Sequence, residues 1–176
     1  MRYTVKSGVL YEEQSCKTLA KIKSSLTGPV KKIFRNSHEP VLKTDIRHLN
    51  TEKYHSTDVR CGEYILINRE DEIIAAASPG YAEGDEPAVT GWPICRMPKV
   101  DHAQVTIKGK IYYLTMGNSQ NYALKDSKGH EILRIMHKGI TGGWSVEDDQ
   151  GFTPEILCGL FIFCRYIQQE NEFLIL

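Results

Sequence analysis

Thr153-Pro154-Glu155-Ile156-Leu157-Cys158-Gly159-Leu160-Phe161-Ile162-Phe163-Cys164-Arg165 opens with three helix-start residues and then runs nine positions without a polar side chain. Thr153 suits the N-cap, Pro154 the first helical position, where a missing N–H costs nothing, and Glu155 the positive end of the helix dipole. The pattern predicts a helix over 154–170. About two and a half turns of it are apolar on every face, so the surrounding chain must enclose it. Arg165 ends the run well short of the ~18 to 20 apolar residues that a bilayer span requires, and no transmembrane span is expected.

Upstream, apolar and polar residues alternate in short runs bounded by Asn, Asp and Gly, the pattern of half-buried strands joined by tight turns. Eleven candidate strands emerge, at 2–10, 18–24, 31–35, 41–47, 63–68, 73–78, 104–107, 111–116, 122–125, 131–137 and 144–147. Antiparallel hairpins are the natural connection. The stretch 78–98, rich in Pro, Gly and acids, reads as one long irregular loop, and 49–57 is open between loop and short helix. A chain of hairpins can surround a helix only by curling, and closure also removes exposed edge strands. The expected class is therefore mainly β: about 11–12 antiparallel strands forming a β-barrel around one central, apolar C-terminal helix, in a single domain over 1–176.

Composition narrows the function classes. Lys plus Arg equals Asp plus Glu at 22 each, for a net charge of zero, which argues against a dedicated nucleic-acid binder. The balance is uneven along the chain: residues 1–60 hold 12 basic and 6 acidic side chains, and residues 61–176 hold 10 and 16. Five cysteines, an odd number with no CxxC, do not form a disulfide framework. Reduced thiols and the lack of an apolar signal run near Met1 point to a cytoplasmic protein.

In the last third, Tyr122-Ala123-Leu124-Lys125-Asp126-Ser127-Lys128-Gly129, Glu131-Ile132-Leu133 and Gly143-Trp144-Ser145-Val146 precede the apolar helix. This order of D-x-x-G turn, strand, tryptophan strand and helix resembles the tubby C-terminal-like fold, shared with phospholipid scramblases and LURP-one-related proteins. The likeness is close over some 55 residues and rests elsewhere on hairpin count. It implies a barrel around a central helix, and an association with phosphoinositide or other phospholipid headgroups. No segment matches the scramblases' cysteine-rich or proline-rich regions.

Among candidate sites, Lys21, Lys23, Lys31, Lys32 and Arg35 lie on neighbouring strands around Thr27-Gly28-Pro29, whose turn would gather them into a cradle for an anionic headgroup. The plainer reading is a solvated strand face whose lysines discourage edge pairing. Glu147, Asp148, Asp149 and Glu155 around Gly151 could be a calcium loop, but the spacing fits a polar turn before a helix better. His38, His48, His55, His102, His130 and His137 never pair with cysteine at zinc spacing, and HExxH, GxSxG, Walker and GxGxxG motifs are missing. Cys158 and Cys164, inside the apolar helix, should be inert.

The expectation is a non-enzymatic binding or interaction domain with no cofactor and no metal, whose partner is an anionic phospholipid or another protein, met at a membrane periphery. Two alternatives stand beside it. One is an enzyme whose site is assembled from loops near residues 78–102, using Asp101 or His102; the other is an oligomerising module using the apolar tail 173–176.

Overall fold

The computed structural model describes residues 1–25, 28–35, 37–48, 62–81, 100–118, 120–140 and 142–172. Among these residues twelve strands precede one helix: β1 (Arg2–Lys6), β2 (Val9–Glu12), β3 (Thr18–Ser24), β4 (Lys31–Phe34), β5 (Leu42–His48), β6 (Gly62–Ile67), β7 (Ile73–Tyr81), β8 (Val100–Ile107), β9 (Lys110–Asn118), β10 (Asn121–Lys125), β11 (Glu131–His137), β12 (Trp144–Asp148) and α1 (Pro154–Glu172). Each strand pairs antiparallel with its neighbours in sequence, and β1 pairs with β12, so the sheet closes into an up-and-down barrel. The expected class, a mainly β barrel around an apolar C-terminal helix, is the one the chain adopts.

Local chemistry explains the strand boundaries. The stretch 2–10, expected as one strand, is two, because Ser7 and Gly8 both take positive φ, 50° and 72°. A two-residue hairpin of this twist needs that conformation at both central positions. A side chain at Gly8 would also place its Cβ 2.8 Å from the carbonyl oxygen of Ile22. The irregular loop expected over 78–98 is corrected at its start, since Ser78 to Tyr81 continue β7 and pair with β8. Pro79 is tolerated there because the β6–β7 ladder ends at the Tyr64–Ala77 pair, so the missing N–H falls beyond the last partner. Positions 82–99 and 49–57 lie outside the described residues, as does the tail 173–176.

α1 begins where Thr153 accepts the Leu157 N–H through its backbone carbonyl, at 3.0 Å. Leading into it, the Asp148 carboxylate accepts the N–H groups of Gln150, Gly151 and Phe152 at 2.8–3.2 Å. The acids there are thus a turn scaffold: Glu147 pairs with Arg2 and Glu155 with Arg35. Within the barrel, Ile156, Leu157, Leu160, Ile162, Phe163 and Ile167 pack against inward residues such as Leu10, Ile33, Leu66, Leu114 and Ile135. Tyr64 on β6 meets Phe163 and Tyr166 at ring separations of 6.0 and 5.2 Å. At the far rim the Asn171 amide bonds both the N–H and the carbonyl of Val100, as a strand would. Burial pushes the Cys158 thiol up to about 12 and raises that of Cys164 too, so both are held protonated and inert.

Candidate anion-binding surface

The outward face of β3, β4 and β5 is set by register. Lys21 pairs with Phe34, Ile22 with Ile33, Lys23 with Lys32, and Ser24 with Lys31. Ile33 is fully buried, and side chains alternate between faces along a strand. Lys21, Lys23, Lys32 and Phe34 therefore point outward. Lys31 shares the inward parity of Ile33, is half-buried, and sits opposite the buried Thr44. The structure thus gathers Lys21, Lys23 and Lys32 from the expected cradle and turns Lys31 away from them.

The next ladder adds a residue the sequence did not single out. Lys32 pairs with Lys43 of β5, so Lys23, Lys32 and Lys43 form one cross-strand row over three adjacent strands, spaced about 4.8 Å apart along the hydrogen-bonding direction. Lys43 reaches Asp71 at 2.7 Å, and the Lys23 ammonium lies 5.0 Å from the centre of the Phe34 ring. Among the described residues no carboxylate comes within ion-pair distance of Lys21, Lys23 or Lys32.

Two shallow clefts flank β4. One, of about 380 Å³, is lined by Thr18, Lys21, Lys23, Phe34, Arg35, Ser37 and His38. The other, of about 360 Å³, includes Lys32, Lys43, Asn68 and Arg69. In the second cleft Arg69 is held by Glu39 at 3.1 Å and by the Pro40 carbonyl at 3.0 Å. In the first, Arg35 approaches Glu155 through Nε at 3.3 Å. The Ser37 hydroxyl there donates to the Glu39 carbonyl at 2.7 Å, while the Thr18 hydroxyl, two ammonium groups and a guanidinium line the cleft with one aromatic ring, a donor set that suits a phosphate-bearing group.

The other candidate groups are placed apart from this surface. The half-buried Asp101 and the exposed His102 contact each other at 2.6 Å, with the His102 ring lying against Gly80, where a Cβ would come within 2.1 Å of Nε2. His130 faces Asp126 at 3.3 Å, and His137 packs edge-on to Trp144 at 5.0 Å. His55 and the side chain of His48 lie outside the described residues. Among the described residues no three His, Cys, Asp or Glu side chains converge as metal ligands, and no helix is long and apolar enough to cross a membrane. No family model, curated protein or solved structure matches the chain.

Proposed function

We propose that the outward face of β3, β4 and β5 binds anionic phospholipid headgroups, and that the protein is a non-enzymatic, peripheral membrane-binding domain of the tubby C-terminal-like type. The observation that carries this reading is the Lys23–Lys32–Lys43 row. Like charges directly opposite each other on antiparallel strands cost stability, by about 0.2–1 kcal/mol per pair. Edge protection does not account for them, because closure pairs β3, β4 and β5 on both sides. Asp71 answers Lys43, and an anionic surface supplies the counter-charge that Lys23 and Lys32 lack among the described residues.

Each basic group near such a surface contributes about 1 kcal/mol. Lys21, Lys23 and Lys32 together then give about 3 kcal/mol, a weak and reversible attachment that the clefts beside β4 could sharpen.

Co-sedimentation with neutral and anionic vesicles, at low and physiological salt, tests the reading. Wild type should pellet with anionic vesicles and lose binding as salt rises. Lys23→Glu/Lys32→Glu should bind at least about tenfold more weakly, while the charge-matched Lys110→Glu/Lys128→Glu, remote from the row, should bind as wild type. Equal binding by both double variants, or none by wild type, would refute the assignment.

A further inference from the structure

Arg35 differs from the lysines around it in how it is held. It follows β4 and lines the cleft beside Lys21, Lys23, Ser37 and His38. Its side chain is 59% exposed, whereas that of its partner Glu155 is 11% exposed. Glu155 belongs to the first turn of α1, where the helix dipole favours a carboxylate. The helix beneath it is packed into the barrel core, so the carboxylate is carried by a buried element.

A guanidinium carries five N–H donors in a planar fork. The contact with Glu155 is made through Nε, which leaves the fork of two terminal nitrogens to meet two oxygens of one phosphate. We infer that Glu155 is a positioning residue for anion recognition, holding Arg35 from inside so that its terminal nitrogens are presented to a phosphate group in the β3–β4 cleft. The inference rests on the anion-binding reading of this face and gives a part in it to a residue of the central helix.

Charge counting and positioning predict opposite signs for one variant. Glu155→Gln removes a negative charge beside a cationic cleft, so charge alone would tighten anion binding. Positioning predicts that it weakens binding by about tenfold, the effect of losing one well-aligned charged hydrogen-bonding pair.

The experiment titrates wild type, Glu155→Gln, Arg35→Ala and the double variant with phosphatidylcholine vesicles and with phosphatidylcholine–phosphatidylserine vesicles, each with and without inorganic phosphate as competitor. Glu155→Gln should weaken binding in the wild-type background and leave Arg35→Ala unchanged or slightly tighter. Competition by millimolar phosphate would identify the phosphate group alone as the ligand, and resistance to it would identify the headgroup in its bilayer; the positioning role is supported in either case.

Glu155→Gln binding as tightly as wild type or tighter, or an equal loss in both backgrounds, would overturn the positioning role while leaving the surface assignment intact. Absence of any preference of wild type for the anionic vesicles would bring down both. Should Glu155→Gln fail to fold, Glu155→Asp serves instead: it keeps the carboxylate and withdraws it by one methylene, so a loss of about tenfold that Arg35→Ala abolishes supports positioning and unchanged binding refutes it.

Discussion

Tyr166 ties three parts of the chain together through one oxygen. Its hydroxyl is 2.8 Å from the buried hydroxyl of Thr44 on β5 and donates to the Pro29 carbonyl, at 2.6 Å, in the β3–β4 connection. Burial pushes the phenol up to about 12. Tyr166→Phe should therefore cost about 1–3 kcal/mol near neutral pH, since it strands a buried hydroxyl and a carbonyl. The pH dependence has a definite sign. The folded state keeps this proton after the unfolded chain, near 10, has lost it, so stability from the group is full below pH 10 and falls as pH rises through about 12. Urea unfolding at pH 8 and again near pH 11.5 should show wild type losing more stability across that interval than Tyr166→Phe; equal losses would mean that the phenol is not held protonated.

For the helix as an element, Gly159 sets how closely it lies against β6. A Cβ there would come 2.7 Å from one methyl of Leu66 and 3.1 Å from the other, and Leu66 is itself 1% exposed. Alanine gains about 1 kcal/mol of helix propensity but overpacks a filled core at about 1–3 kcal/mol. Gly159→Ala should thus destabilise by about 1 kcal/mol in denaturant midpoint, and Leu66→Val in the same chain should recover part of that loss. A neutral or stabilising Gly159→Ala would show that Leu66 gives way freely.

Most of this element could be read before the structure. Thr153, Pro154 and Glu155 are local signals, and nine apolar residues in a row leave no solvent face. What escaped was conformational detail that alternation cannot show: the positive φ at Ser7, which split one strand into two, and the place of Pro79 beyond the end of a ladder.

Across the whole molecule, the proposed binding surface was half legible. Charge density along 18–35 marked the region, but which lysines share a face depends on register, and register depends on the connection between strands. That is why Lys31 fell on the inner side, why Lys43 was not anticipated, and why the Arg35–Glu155 pair, 120 positions apart in sequence, could not be seen at all.

The same geometry predicts a conflict between stability and binding. Lys32 stands between Lys23 and Lys43, so Lys32→Glu should stabilise the isolated protein by about 1 kcal/mol at low salt, less at high salt, while weakening attachment to anionic vesicles. Thermal melts beside vesicle titrations would show both; a destabilised Lys32→Glu would mean that the row carries no repulsion.

Closure also sets an order of events for a chain under synthesis. β1 to β11 can zip together hairpin by hairpin, yet the ladder that pairs Tyr3 with Val146 must wait for β12, and the lumen stays unfilled until α1 follows. Until then β1 offers unpaired N–H and C=O groups to any neighbour, and Leu66 and Leu114 have no helix to pack on. Joining such distant residues is slow, because the loop entropy must be overcome before the contact is made. Aggregation therefore threatens the newly made chain far more than the finished one.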